Sequence, residues 1–152
     1  MKFAKIYGLA LILVFISCQS QPTEEQVPQV EFLTSDSSAN LPFSEAVRAG
    51  DWLILSGQIG VDPETGALPP GGIKAETKQT MDNIKRTLEK YGASMDHVVK
   101  CTVMLADISE WGDMNEVYVT YFPNHKPARS AFGTSGLAMG ARLEIECWAV
   151  VK

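Results

Sequence analysis

One arginine lies among small and apolar residues in the stretch KPARSAFG, residues 126–133, which is predicted to form a strand. A guanidinium at Arg129 either forms an ion pair with Glu144 or Glu146 from a neighbouring strand, or faces a pocket. In a pocket, it would bind a ligand carboxylate through two parallel N–H donors. Two glutamates for one arginine leave a carboxylate that is able to orient a water molecule or to transfer a proton.

The predicted last strand, residues 143–151, carries different residue types on its two faces. The apolar face, expected to pack against helices, carries Leu143, Ile145, Cys147, Ala149 and Val151. The opposite face carries Glu144, Glu146, Trp148 and Val150. That second face is too apolar for open solvent and too charged for a closed core, so it indicates a subunit interface with a cleft. A half-exposed sheet face is the alternative.

The elements that must position these side chains follow from the spacing of apolar residues. Two short strands are predicted around a turn at residues 49–51, and an amphipathic helix runs from Ile73 to Tyr91 and ends at Gly92. Another strand begins at residue 98, with its apolar odd positions, Val99 among them, expected to face the helices. A second helix spans residues 111–122, and strands near 128–134 and 143–151 follow. This β-β-α-β-α-β-β order predicts a single α+β domain over residues 41–152, with both helices on one face of a mixed sheet.

The N-terminus is predicted to be a targeting segment and not part of this domain. Residues 1–17 combine two lysines with a short apolar run, which is typical of a secretory signal peptide. The sequence FISC at residues 15–18 resembles the lipobox of bacterial lipoproteins, which implies cleavage before Cys18 and lipidation of that cysteine. Residues 18–40 are polar and predict a flexible tether. The protein is therefore expected to be exported and anchored to a membrane, on a periplasmic or outer-membrane face. A signal peptide without lipidation, with a chance cysteine, is the alternative.

Composition argues against two classes of function. The net charge is −5 and no basic run occurs, which argues against nucleic acid as the main partner. The two histidines, His97 and His125, have no further ligands at metal-binding spacing, so no metal site is predicted. Cys101 and Cys147 fall on predicted strands and are expected to be buried free thiols, although a disulfide between them stays open.

Five separated motifs, in order and in register, resemble the Rid (RidA/YjgF) family of reactive intermediate deaminases. They are SGQIGVDPETG, MDNIKRTLEKYGASMDHVVKCTVMLADI, MNEVYVTYFP, PARS and EIE. The resemblance implies a chorismate-mutase-like fold and a homotrimer whose sheets form a central barrel, with ligand clefts between subunits. It also implies hydrolysis of enamines and imines of small 2-imino acids to 2-keto acids and ammonia, without a cofactor.

The same resemblance assigns roles to individual residues. It implies that Arg129 of PARS binds the substrate carboxylate and that Glu144 of EIE helps to place the attacking water. Ser56 of SGQ and Asn115 of MNEVY would line or support the cleft. Two further cleft positions depart from the deaminases, which have tyrosine where this chain has Phe43 and often cysteine where it has Ala131.

These departures keep a second function open. Loss of the tyrosine hydroxyl removes a hydrogen bond worth about 1 kcal/mol in a closed site. A trimeric sensor or scavenger that binds small carboxylates in the same cleft without turnover is therefore the alternative to a deaminase. A ribonuclease activity, also attributed to the family, is disfavoured by the acidic charge and the signal sequence.

Overall fold

The computed structural model describes residues 27–34 and 41–151. The predicted signal peptide, Cys18 and most of the predicted tether lie outside the described residues. The described part forms one mixed sheet and two α-helices. In chain order the elements are β1 (Val30–Leu33), β2 (Ala46–Ala49), β3 (Trp52–Leu55), β4 (Gln58–Ile59), α1 (Gly72–Lys90), β5 (Val98–Leu105), α2 (Trp111–Tyr118), β6 (Ala128–Gly133) and β7 (Leu143–Val150).

The sheet places the last strand of the chain in its middle. The strand order is β1-β2-β3-β7-β5-β6, and β4 pairs with β7 beyond the end of β3. All pairs are antiparallel except β5 with β6, which are parallel. The parallel pair needs a crossover, and α2 supplies it. Strand β6 is therefore an edge strand, separated from β7 by β5. The predicted α+β domain with two helices on one sheet face is confirmed.

The sheet begins earlier in the chain than the predicted domain. Residues 18–40 are predicted to be a tether, but Val30–Leu33 form β1, which pairs antiparallel with β2. The polar composition of the segment does not predict this strand, which is held by backbone bonds to β2 and by one partly buried side chain, Leu33, packed against the core. Phe32 of β1 is 74% exposed.

Helix α1 follows the apolar spacing that predicts it. Its buried face includes Ile73, Met81, Ile84 and Leu88, which pack with the core strands. The helix ends at Lys90, and Gly92 then adopts a φ of 80°. Glycine adopts this left-handed conformation without a steric penalty, which explains why the helix stops there.

The region after β5 differs in detail from the single predicted helix. The Asp107 side chain accepts a hydrogen bond from the Ser109 backbone N–H at 2.9 Å and caps a short 3-10 turn at Ile108–Glu110. Helix α2 proper covers Trp111–Tyr118, and a second 3-10 turn, Val119–Tyr121, completes the segment. Residues 111–122 thus form two consecutive helical pieces.

A β-bulge corrects the predicted facing of β5. The register with β7 shifts between Val98 and Lys100, so Val98 is fully buried and Val99 is 40% exposed. Beyond the bulge the alternation is as expected, with Cys101, Val103 and Leu105 fully buried on the helix side. The extra residue of a bulge reverses the facing of its neighbours, which strict alternation cannot anticipate. Neither described α-helix has the length and apolar character needed to cross a bilayer.

Candidate functional site

Arg129 lies on edge strand β6 and faces the helices. In the parallel register of β5 and β6 it stands opposite Cys101, a fully buried residue of the helix-facing side. Its Nη1 donates a hydrogen bond of 2.6 Å to Oδ1 of Asn115 in α2. The amide oxygen therefore orients the guanidinium without adding a negative charge.

Two aromatic rings of α2 make cation–π contacts with this guanidinium. Its central carbon lies 4.7 Å from the ring centre of Tyr118 and 5.5 Å from that of Trp111. Cation–π contacts of this kind stabilise the charge while leaving edge N–H donors free. Trp111, Asn115 and Tyr118 follow the i, i+4, i+7 spacing of one helix face. The two aromatics are not among the predicted site residues, although this spacing around Asn115 could have identified them as partners of Arg129.

Arg129 forms part of the wall of a cavity of about 560 Å³. The wall also includes Asn115, Tyr118, Phe122, Lys126 and Pro127. Within the described residues, no carboxylate forms an ion pair with Arg129, and only its Nη1 donates a hydrogen bond. We call Arg129, Asn115, Trp111 and Tyr118 the arginine cluster.

The structure excludes the ion pair between Arg129 and Glu144 or Glu146 within one chain. Strand β5 separates β6 from β7, so these residues are not on neighbouring strands. Moreover, Arg129 shares its sheet face with Cys101, which pairs with Cys147, whereas Glu144 and Glu146 alternate to the opposite face.

Glu144 lies on the open face of the sheet, beside a glycine. It stands opposite Ile59 of β4 and Met104 of β5. A Cβ atom built on Gly57 would lie 1.9 Å from Oε1 of Glu144, so the carboxylate occupies the space that a side chain would fill. Within the described residues the Glu144 carboxylate has no ion-pair partner. The role of Gly57 was not foreseen, because it depends on β4 pairing with β7.

Phe43 and Ser56 lie near Gly57, the glycine beside this carboxylate. Ser56 precedes Gly57 in the chain, and Phe43 lines a cavity together with Gly57. Phe43 and Ser56 also line a shallow cavity of about 610 Å³, and Phe43 is 54% exposed. The Ser56 hydroxyl donates a hydrogen bond of 2.6 Å to the backbone oxygen of Ser44, the residue after Phe43. This bond holds the segment that carries Phe43 close to Ser56, which is the residue before Gly57. We call Phe43, Ser56, Gly57 and Glu144 the glutamate cluster.

Ala131, the remaining predicted cleft residue, lies on the same strand as Arg129 but does not line the cavity of the arginine cluster. It stands opposite Val103, two positions beyond Arg129 on the same face, and packs against the hydrophobic core. Its methyl group offers no polar atom to a ligand.

A single chain therefore presents two separate halves of the predicted site. The arginine cluster lies on the helix side of the edge strand β6, and the glutamate cluster lies on the open face around β7. Since the sheet lies between them, one copy of the chain does not bring Arg129 and Glu144 together. Over residues 27–34 and 41–151, no three His, Cys, Asp or Glu side chains are grouped as metal ligands.

A family model and individual proteins both match most of this chain. The family model described as endoribonuclease L-PSP matches residues 34–151. A 2-iminobutanoate/2-iminopropanoate deaminase from Mus musculus is 44% identical over 109 residues, which cover 72% of this chain and 81% of the mouse protein. A RutC family protein from Pyrococcus abyssi is 46% identical over 105 residues, covering 69% of this chain and 83% of that protein.

Solved structures share the fold. The YjgF gene product of E. coli superimposes with a TM-score of 0.70 at 31% identity, covering 83% of this chain and 98% of the other. RidA from an Antarctic Psychrobacter gives a TM-score of 0.70 at 36% identity, with 83% and 99% covered. The sheet and its two helices are those of these structures, as the predicted chorismate-mutase-like fold requires.

Proposed function

Because the chain belongs to the endoribonuclease L-PSP family, the Rid family indicated by its motifs, we propose that it hydrolyses small 2-imino acids to 2-keto acids and ammonia. One observation carries this proposal. The Arg129 guanidinium is fixed at the wall of a cavity by an amide and two aromatic rings, while no described carboxylate neutralises it. A positive charge kept in this way is suited to a small carboxylate ligand.

The geometry of the guanidinium matches a carboxylate. Arginine has five N–H donors in a planar fork, and within the described residues only Nη1 is engaged. The Nη2 and Nε donors are left to form two parallel bonds to a carboxylate. The rings of Trp111 and Tyr118 restrict rotation of the guanidinium, so less conformational entropy is lost when the ligand binds.

The reaction needs little beyond this anchor and a placed water molecule. Water adds to C2 of the protonated imine and forms a C–O bond. The proton that the water gives up is then returned to the nitrogen, the C–N bond breaks, and ammonia leaves as the oxygen loses its remaining proton and becomes the keto oxygen. Glu144 accepts a proton from the attacking water and its negative charge stabilises the iminium. Because the imine is reactive in water, holding its carboxylate and orienting one water molecule account for the catalysis.

We propose further that the two clusters meet between copies of the chain in a homotrimer. The open face of the sheet exposes Trp52, Phe132 and Trp148 by 40–48%, and the two tryptophan rings make an edge contact at 6.3 Å. A second copy on this face would bury these rings, with the sheets forming a central barrel. Each cleft would then combine the arginine cluster of one subunit with the glutamate cluster of its neighbour.

The test is an oxidase-coupled assay. An amino-acid oxidase releases 2-imino acids, and semicarbazide traps the imine that remains after addition of the purified protein. We expect faster release of the 2-keto acid, and we expect both Arg129→Ala and Arg129→Lys to abolish the acceleration. The lysine variant keeps the charge but not the fork, so it tests the bidentate contact.

Lys85→Ala is the matched control for charge. Lys85 lies on the solvent side of α1 and is more than half exposed, so its loss changes the net charge as Arg129→Ala does. Normal turnover by Lys85→Ala is expected. Turnover by Arg129→Ala equal to that of the unmodified protein would contradict the proposed role of Arg129 in binding the substrate carboxylate.

A sensor or scavenger that binds the same ligands without turnover is the second candidate. Phe43 favours it, because a phenyl ring at the cavity of the glutamate cluster supplies no hydroxyl for substrate or water. Calorimetric binding of a small 2-keto acid, lost in Arg129→Ala, together with no acceleration in the oxidase assay would identify the sensor.

We also propose that the chain is exported and held at a membrane through lipid on Cys18. The support is the charged and apolar pattern of residues 1–17 and the serine before Cys18. A Cys18→Ser variant is expected to move from the membrane fraction to the soluble fraction of cells. Unchanged fractionation of this variant would contradict lipid anchoring.

A further inference from the structure

Two cysteines face each other at the centre of the sheet. Cys101 of β5 and Cys147 of β7 are register partners in an antiparallel pair, and their sulfur atoms are 2.9 Å apart. Both are free thiols with no exposed surface. Cα atoms of such partners are about 4.5–5.5 Å apart, which lies within the range that a disulfide spans. Closing the sulfur distance to about 2.05 Å requires a shift of roughly 1 Å.

The segment between these cysteines contains the whole arginine cluster. Trp111, Asn115, Tyr118 and Arg129 all lie between residues 101 and 147. Cys101 is also the register partner of Arg129, so Arg129, Cys101 and Cys147 form one row across three strands. A covalent bond between β5 and β7 would therefore close a loop around α2 and β6.

The two thiols have different chemical character. The hydrogen bond with Cys147 lowers the pKa of Cys101, and the Tyr118 hydroxyl and the Arg129 charge lower it further against the effect of burial. The same hydrogen bond and burial raise the pKa of Cys147. Since thiolate is the nucleophile in thiol–disulfide exchange, Cys101 is the attacking residue of the pair.

We propose that Cys101 and Cys147 are a redox-modification site, at which an organic disulfide converts the two thiols into a disulfide between strands β5 and β7. Because neither thiol is exposed in the folded chain, the exchange takes place when local opening of the sheet, or incomplete folding, admits the oxidant. The Cys101 thiolate then attacks one sulfur of the oxidant and releases the first thiol. Cys147 then attacks the Cys101 sulfur of the mixed disulfide, releases the second thiol and gives up its proton. Two thiols and one organic disulfide yield one protein disulfide and two small thiols, so two electrons pass to the oxidant.

Closing this loop stabilises the fold around the arginine cluster. The bond joins residues separated by 46 positions, and it restricts the unfolded chain more than the folded one. The Tm of the oxidised protein is expected to exceed that of the reduced protein by about 5 °C or more. This inference is independent of the proposed imine hydrolysis, since it concerns covalent state and stability.

Peptide mapping of the full chain tests the proposal. The protein is incubated folded, and in parallel refolded from denaturant, with oxidised glutathione or with dithiothreitol. It is then quenched with acid, unfolded, alkylated with iodoacetamide and digested with trypsin without reduction. Trypsin places Cys101 in residues 101–129 and Cys147 in residues 143–152. Oxidised glutathione is expected to produce a cross-linked pair of these peptides in the folded sample, in the refolded sample or in both. Dithiothreitol is expected to remove it.

Variants and thermal unfolding complete the test. Cys101→Ala and Cys147→Ala are expected to abolish the cross-linked peptides and the rise in Tm on oxidation. Cys18 does not enter the result, because each cysteine is quantified on its own peptide. Recovery of both peptides fully alkylated, or carrying only glutathione adducts, in both arms would overturn the proposal. A disulfide that left the Tm unchanged or lowered it would overturn its stabilising role.

Discussion

At the scale of single residues, the choice of amide at position 115 decides what Arg129 is able to bind. Buried arginines are commonly neutralised by carboxylates, which removes their attraction for an anionic ligand. Here the neutral Asn115 oxygen accepts from Nη1, and the rings of Trp111 and Tyr118 pack beside the guanidinium. The side chain is thus fixed while its full charge is retained.

Replacing Asn115 by aspartate separates orientation from charge. In Asn115→Asp the acceptor is kept, but the introduced carboxylate neutralises the guanidinium. Binding of a small 2-keto acid is expected to weaken about tenfold or more, because a charge-assisted hydrogen bond contributes roughly 1.5–3 kcal/mol. Isothermal calorimetry measures the change, with circular dichroism as the control for folding. Unchanged affinity would show that the Arg129 charge does not hold the ligand.

Gly57 is expected to be as important to Glu144 as Asn115 is to Arg129. A Cβ in Gly57→Ala would overlap Oε1 of Glu144 at 1.9 Å and approach its Cδ at 2.8 Å, so the carboxylate must rotate away. Displacing a group that places water by about 1 Å costs roughly 100-fold in rate, and kcat is expected to fall by about this factor. The Tm should change little, because the alanine displaces only the end of a flexible, partly exposed side chain.

A double-mutant cycle shows whether Gly57 acts through Glu144. If it does, adding Gly57→Ala to Glu144→Ala has no further effect on kcat. A second, additive loss would instead mean that the methyl group disturbs another part of the cleft.

At the scale of elements, the sequence predicts the features that depend on the local spacing of residues. It does not predict the features that depend on pairing between distant segments. Helix α1 is predicted at residues 73–91 and observed at Gly72–Lys90, because its apolar stripe and terminal glycine are local signals. Strand β1 and the bulge at Val98 are missed, since each depends on hydrogen bonds to a partner strand. The same limit applies to the site. The residue types predict Arg129 and Glu144 as site residues, but their separation follows from β5 lying between β6 and β7, and their opposite faces follow from the register of these strands.

Asn83 joins α1 to the strand beside Glu144. Its Nδ2 donates to the backbone oxygens of Ile59 at 3.0 Å and Val61 at 2.9 Å. Asn83→Ala leaves these two carbonyls without the amide donor, which is expected to lower the free energy of unfolding by about 1–3 kcal/mol. Urea unfolding measures this loss.

Gln79→Ala provides the control for Asn83. Gln79 donates to Oδ1 of Asn83 at 3.0 Å from the partly exposed side of the helix, so its removal leaves both bonds to the β4 region intact. A change below about 1 kcal/mol is expected for this partly buried contact. Equal destabilisation by the two variants would mean that the amide network, and not the pair of carbonyl contacts, holds β4.

At the scale of the whole molecule, the proposed site needs a second copy of the chain, because the two clusters are separate in one chain. The sheet that carries Arg129 on its helix side carries Glu144 on its open side, and folding of one chain cannot reverse either. In the proposed cyclic trimer, with one cleft per interface, each subunit would offer its arginine cluster to one neighbour and its glutamate cluster to the other. Inactivating mutations in different clusters should then compensate each other across subunits.

Subunit mixing tests this arrangement directly. Arg129→Ala and Glu144→Gln chains, each expected to be inactive alone, are unfolded together in equal amounts and refolded. Random assembly makes three quarters of the trimers mixed, and each mixed trimer has one intact cleft of three, so about a quarter of the unmodified activity is expected to return. Mixing the folded proteins without unfolding, or refolding Arg129→Ala with Arg129→Lys, should restore nothing, because no cleft then receives both intact side chains. If the refolded mixture is no more active than its two components, Arg129 and Glu144 do not meet across a subunit boundary.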